Sequence, residues 1–486
     1  MPSISRRGFL SSMATVPLAL WVARNANANE PLIRHDACSA AGKEMLQVYA
    51  AAVAAMQARA PGDPLSWVWQ WYTHFVDGAT TKDAELARIF GSEPSPLGAL
   101  AGEVWNTCQS HAGQNANNFL PWHRMYVLFF EAIIRQVSGR PDFALPYWNY
   151  TSDDPALRGV LPVEFRLPGD PVFGCLYRPD RKQAANQGLP IHTGQPGDAM
   201  DISVEMAKTA YSTSGGVQGF CRAVDSGIHG RIHALVGNRD NMGRVPYAAR
   251  DPLFWVHHAS IDRIWASWNL NGGVNPTTAS WTSKAFVFAD AAGQRVSSRL
   301  RDYFDMAALG YTYDSFIPPP AVPMAIAGTS AAIGTKPKLI ARAESAELGT
   351  GPARRALRMA AGMDPVGAAL ARERSWLVLK DLHTWQQPDV LYHVYLISAS
   401  EPEAGAARYV GAINFFDAEF HDHGDHALDQ ALGENFFSFE VTSILRRMYQ
   451  ARGRSGLRDL GVLFVPGGRA YADARPLVAT IQLVQQ

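Results

Sequence analysis

His229 and His233 stand four residues apart in SGIHGRIHALVGN. On a helix both imidazoles leave one face and can share a metal ion. The segment lacks the glutamate of an HExxH motif, which argues against a zinc-peptidase helix. Downstream, DPLFWVHHASIDRIW sets His257 and His258 at the head of an apolar helix. Neighbours on a helix point about 100° apart, so one of the pair joins a given site. Upstream, NFLPWHRMYVLFFE opens a second apolar helix with His123, and Phe119…His123 repeats the spacing of Phe254…His258. His74 in WQWYTHFVDG and His111 in CQSHAGQN complete a second set of three. Two sets of imidazole ligands suit copper, iron, nickel or zinc rather than Ca²⁺ or Mg²⁺. These motifs offer no Asp or Glu as a ligand, which disfavours iron held by two histidines and one carboxylate. Each motif taken alone is equally what a buried, hydrogen-bonded core histidine looks like.

Helices must position these residues. Helical periodicity and strong helix formers run from Ala40 to Ala60, and helices are expected at His123–Val137, Ile228–Leu235 and His257–Trp268. Residues 151–200 are rich in Gly and Pro with little period, so the unit at 29–316 reads as a mainly α helical bundle wrapped by loops. From 317 to 370 the chain reads as a linker, opening on Pro318-Pro319-Pro320, with a short helix expected in ARRALRMAAGM. The runs SWLVLKDL, VLYHVYLIS, RYVGAINFF, FFSFEVTSIL, LGVLFVPG and LVATIQLVQ then predict a C-terminal antiparallel β-sandwich over 371–486. The N-terminus, Ser5-Arg6-Arg7-Gly8-Phe9-Leu10 followed by an apolar run and Ala26-Asn27-Ala28, reads as a twin-arginine-type export signal over 1–28.

Composition narrows the function. The 486 residues carry 44 Lys+Arg against 44 Asp+Glu, with no basic excess of the kind nucleic acid requires. No apolar run reaches the length of a membrane span. Four cysteines are too few for a disulfide scaffold in so long a chain. The 13 Trp and 14 His are the unusual numbers, and ten of the Trp fall between Trp67 and Trp281, in the same unit as the histidine sets.

NFLPWHRMYVLFFE, HGRIH, GNRDNMGRVPYAARDPLFWVHHASIDRIW and LPYWNY together resemble the tyrosinases and polyphenol oxidases, the type-3 copper family that also includes catechol oxidases and haemocyanins. The resemblance implies two copper ions, one held by His74, His111 and His123 and the other by His229, His233 and His258. It implies a phenolic substrate and O₂ as partners, with o-diphenols oxidised to o-quinones. Hydroxylation of monophenols, a diphenol or o-aminophenol oxidase without it, and a haemocyanin-like oxygen carrier are the variants within the family. By the same resemblance His257 neighbours the site, Phe254 lines its mouth, Asp262 orients an imidazole, and Tyr311-Thr312-Tyr313 packs against Arg34. The sandwich would cover the copper cavity.

Three features depart from the family pattern. Cys108 precedes His111 by three residues, where a thioether-forming Cys usually precedes its His by two. Gly230 follows His229 where monophenol-hydroxylating members often have Asn. The Glu that partners that Asn has only Gln218 and Asp225 as nearby polar candidates. These departures bear on monophenol hydroxylation and leave diphenol oxidation untouched. His421, His423 and His426 in FHDHGDH form a separate cluster, read as a polar surface loop.

Overall fold

The computed structural model describes residues 30–108, 117–320, 337–363, 373–398, 408–419, 436–453, 457 and 459–486. The proposed signal, His111 and the His421–His426 cluster lie outside them. Two helices form the axis of the first unit. Phe119–Ser138 is buried at every position from Phe119 to Ile134, and Leu253–Leu270 from Leu253 to Trp268. A helix buried on all sides can only be central. Gly139, at φ 69°, ends the first of them in the left-handed conformation that glycine adopts without a Cβ clash. The two pack through aromatic faces, with Phe130 stacked on Trp255 at 3.5 Å between ring centroids and Tyr126 4.6 Å from Trp255. Asp251 caps the second by accepting Leu253 N–H at 2.9 Å and is itself clamped by Arg181.

Helices Ala40–Gln57 and Trp67–His74 pack around this axis. Ser66 caps the second by accepting Trp69 N–H. Trp67, Trp69 and Trp71 alternate in sequence, yet all three are buried in this helix because neighbours cover it on several sides. The helix expected from Ile228 starts earlier, as a widened turn over Asp225–His229 that runs into Gly230–Val236.

Strand β1 (Leu32–Arg34), the hairpin of β2 (Ala285–Ala289) and β3 (Arg295–Arg299), and β4 (Tyr311–Tyr313) complete this unit. β1 and β4 pair in parallel, with Arg34 opposite Tyr313. Arg34 is fully buried. It donates to both oxygens of Glu131 at 2.9 and 2.7 Å, to Asp262 at 2.9 Å and to the Tyr313 hydroxyl at 2.8 Å, and lies over the Tyr311 ring. Arg124, Tyr311 and Tyr313 also donate to Asp262. Burial alone would raise the Asp262 carboxyl, but Arg124 and Arg34 reverse it and hold the group below its ordinary value. The Arg34 partnership with Tyr-x-Tyr is as the resemblance implies. The role expected of Asp262 is not: its carboxylate is taken by two arginines and two tyrosines, with no hydrogen bond to an imidazole among the described residues.

The second unit is built from β5 (Lys338–Ala343), β6 (Ala346–Glu347), β7 (Ala353–Ala356), β8 (Arg358–Met359), β9 (Ser375–His383), β10 (Tyr392–Ser398), β11 (Arg408–Ile413), β12 (Phe437–Glu440), β13 (Leu460–Pro466) and β14 (Leu477–Gln485). One sheet has the order β11-β10-β13-β7. The other runs β12-β9-β14-β5-β8, with β6 also on β14. Their pairings are antiparallel, and both sheets feed a separate apolar core that includes Leu379, Val394, Val462 and Ile481. The described part of the expected linker at 317–370 thus carries four strands, β5 to β8. β5 pairs with β14 and β7 with β13, and ARRALRMAAGM holds β7 and β8 rather than a helix. Its Arg and Ala side chains alternate at sheet edges, so the segment lacks the apolar content that marks the inner strands. FFSFEVTSIL divides into β12 and the start of helix Thr442–Arg452.

Replacing Arg34 with Met would leave Glu131 and Asp262 buried without their shared cation. The expected loss is about 3–5 kcal/mol, read from the denaturant midpoint. A loss under about 1 kcal/mol would show that the network is not holding the unit together.

Candidate metal centre

His74 is the last residue of Trp67–His74, and His123 lies in the second turn of Phe119–Ser138. His229 and His233 flank the junction of the widened turn with Gly230–Val236, and His257 and His258 lie in the second turn of Leu253–Leu270. All six are at most 3% exposed. The ligand atoms of His229, His233, His257 and His258 lie within 4.8 Å of one another, as do those of His74, Cys108 and His123. The two groups face each other across the central helix pair: the His123 and His258 rings stack at 4.4 Å and 15°.

The backs of the imidazoles are tied to backbone carbonyls. His123 Nδ1 bonds Phe119 O at 2.8 Å, His229 Nδ1 bonds Asp225 O at 3.1 Å, and His233 Nδ1 bonds Met242 O at 2.7 Å. With Nδ1–H donating, Nε2 carries a lone pair. Nε2 of His233 and both ring nitrogens of His257 and His258 are buried without a hydrogen-bond partner. Buried polar atoms are rarely left so, and a metal ion is the ligand that satisfies a convergent set of imidazole nitrogens. Burial first, and the neighbouring histidines second, hold His233, His257 and His258 well below the ordinary imidazole value. They are therefore neutral and ready to ligate. The residues present fit a pair of copper ions.

Phe254 is wholly buried, 4.0 Å from the His258 ring and 5.1 Å from that of His74. It is a wedge between the two histidine sets and not the mouth, because its helix runs through the centre of the unit. Cys108 Sγ lies 3.6 Å from His123 Nε2; its expected partner His111 is outside the described residues. His257 joins the second group, its ring parallel to that of His229 at 5.6 Å and 5.5 Å from Tyr150. Gln218 is bound to the sandwich through Ser438 and Phe436. Asp225 sits behind His229, paired with Arg222 at 3.1 Å; burial, and Asp417 after it, push its carboxyl well above the carboxylate range.

Two residues of the sandwich unit reach the site without any signal in the sequence. Phe416 stacks on His233 at 3.9 Å and 5°, with His229 edge-on at 5.4 Å. Asn414 lies against Gly230 and donates to Ser226 O at 2.8 Å. Polar bonds fasten the units around this contact. Arg239 pairs with Asp389, Arg244 Nε donates to Glu419 at 2.7 Å, and Gln218 and Ser438 exchange hydrogen bonds.

The common central domain of tyrosinase matches residues 64–183 and 171–271, the stretch that supplies every histidine above. The match spans less than half of this chain and marks residues 64–271 as a tyrosinase central domain. The chain is 34% identical over 304 residues to a tyrosinase of Hahella sp. (strain CCB-MM4), covering 57% of this chain and 62% of that one. It is 31% identical over 232 residues to polyphenol oxidase II of Ipomoea batatas, covering 40% and 38%. The chain thus spans less than two thirds of these curated relatives. The solved structure of latent apple tyrosinase shares its fold at a TM-score of 0.60 and 19% identity, over 94% of this chain and 98% of that one. The family is a binuclear copper family, and the two facing histidine groups accord with it.

Truncating the wedge tests whether it spaces the two histidine sets. Phe254→Ala is expected to cost about 3–5 kcal/mol in the denaturant midpoint and to lower the copper retained after dialysis. Full copper retention would show that the sets are spaced without Phe254.

Proposed function

We propose that this protein is a copper-dependent phenol oxidase that converts o-diphenols to o-quinones, two diphenols yielding two quinones as one O₂ becomes two waters. The observation that carries the reading is the pair of buried histidine groups facing each other at His123 and His258, with unpartnered imidazole nitrogens between them. His74, His111 and His123 hold one ion and His229, His233 and His258 the other. His258 is preferred to His257 because its ring meets the first set, whereas His257 turns toward Tyr150. The bound pair supplies two-electron exchange with O₂. The chain supplies the rest: carbonyls that fix the imidazoles, Phe254 that spaces them, and aromatic walls such as Phe119 that keep the cavity dry.

The phenolic ring binds flat on His233, in the place that Phe416 fills. With the sandwich docked, Phe416 excludes that ring, so the enzyme is latent until the sandwich moves or is removed. Gly230 offers no side chain to steer a phenolic proton. Gln218 and Asp225 are already committed, so diphenol oxidation without monophenol hydroxylation is the favoured activity. No helix among the described residues is long and apolar enough to cross a membrane. The arginine pair at Arg6-Arg7 directs export.

Under air, the copper-loaded protein should turn catechol into quinone, and Phe416→Ala should raise that rate roughly tenfold by freeing the competent state. Reversible O₂ uptake without quinone would overturn the oxidase reading in favour of a carrier. His258→Ala should lose one of the two copper ions, measured by elemental analysis, whereas His257→Ala should keep both. The opposite pattern would exchange their roles.

A further inference from the structure

The segment that fills the site is an imprint of what the site accepts beyond a phenolic ring. Phe416 supplies the ring, and Asn414, two residues earlier, supplies a carboxamide beside it. That carboxamide lies in a notch that exists because residue 230 is glycine. A Cβ on Gly230 would fall 2.7 Å from Asn414 Nδ2 and 2.8 Å from its Cγ, closer than carbon and nitrogen can pack. Asn414 Nδ2 donates to Ser226 O at 2.8 Å, and Asn414 Oδ1 turns back to accept Phe416 N–H at 3.2 Å.

The acceptor is a product of the local backbone. Gly227 departs from helical geometry at ψ −110°, and the Gly230 N–H reaches the carbonyls of Asp225 and Gly227 instead of that of Ser226. The Ser226 carbonyl thereby serves a side chain arriving from outside the helix. When Asn414 leaves, this acceptor remains in the cavity wall. Gly230 and His233, three apart on one helix, share a face at a separation of about 5–6 Å. That is the span of a two- or three-atom chain attached to a ring stacked on His233.

Resting on the oxidase reading, we infer that the preferred substrates are o-diphenols bearing a short side chain that ends in a neutral N–H donor such as a carboxamide, held by the Ser226 carbonyl in the Gly230 notch. A charged amine fits less well. Asp225, the carboxyl behind this turn, is paired with Arg222, and Asp417, the other carboxylate beside it, belongs to the covering segment and leaves with it, so a cation would lose its water without gaining a counter-charge. Gly230 is then a specificity-determining position that acts by leaving room.

A matched pair of substrates isolates the donor: 3-(3,4-dihydroxyphenyl)-N-methylpropionamide and methyl 3-(3,4-dihydroxyphenyl)propionate have nearly the same shape and differ in N–H against O. The copper-loaded full chain carrying Asn414→Gly and Phe416→Ala, with ring site and notch both vacated, should show kcat/KM about tenfold higher for the amide, the ratio one net hydrogen bond supplies. Adding Gly230→Ala should bring the ratio toward unity. Calorimetric binding of 3-(4-hydroxyphenyl)-N-methylpropionamide and methyl 3-(4-hydroxyphenyl)propionate to the metal-free double variant should give the same order without relying on turnover. Equal kcat/KM for both diphenols would overturn the notch and leave the oxidase standing. Absence of quinone from either would overturn the oxidase itself, and equal binding of the phenols to the metal-free protein would overturn the notch independently of it.

Discussion

The buried guanidinium of Arg34 is the interaction on which the remaining geometry hangs. Its two carboxylate partners sit on different central helices, Glu131 on the one that carries His123 and Asp262 on the one that carries His258. Arg124, the residue after His123, reaches across to Asp262 as well. These charges fix the sliding and rotation of one helix against the other. A dicopper site tolerates little error in either, since the His123 and His258 rings are 4.4 Å apart. Buried ion pairs are poor sources of net stability but good at excluding alternative registers. Here the register they specify is the spacing of the two ligand sets.

The sandwich is attached in a different way. Its contacts with the helical unit mix side-chain ion pairs at the rim, Arg239 with Asp389 and Arg244 with Glu419, with an apolar and amide insertion at the centre, Phe416 and Asn414. Arg239 and Asp389 are partly exposed and their pair contributes little, whereas Glu419 is buried beneath Arg244. The centre covers the imidazoles. Such an interface can be released without unfolding either core, because the apolar core between the two sheets is separate from the one around the histidines.

Legibility in the sequence follows the range of the interactions. The spacing of His229 and His233, and the repeat of Phe119…His123 in Phe254…His258, are local consequences of helical geometry and can be read directly. Arg34 and Tyr311-Thr312-Tyr313 are almost the whole unit apart, and only the family pattern joins them. Asp262 was expected at an imidazole from its place one turn after His258. Its helix is buried all round, and that turn faces the arginines. Phe416 and Asn414 sit in an unremarkable Asn-Phe-Phe run, and their roles come from a contact between units that no local pattern encodes. The strands β5 to β8 were hidden because they are short and carry Arg, Lys and Ala at many positions, β7 and β8 at sheet edges, where the longer inner strands carry Val, Leu and Ile.

The parallel pairing of β1 with β4 has a consequence for the cohesion of the helical unit. Three residue pairs join Leu32–Arg34 to Tyr311–Tyr313, so everything between them, both histidine groups included, is a single closed loop of chain. Loop-closure entropy grows slowly, about 0.6 kcal/mol for each doubling of length. So large a ring is therefore little harder to close than one half its size, and the Arg34 contacts at the seam can offset the difference. Chain that leaves after Tyr313 hangs outside the ring. A cut there leaves the seam closed, and with it the helix register that spaces the imidazoles, whether or not Phe416 still lies on His233.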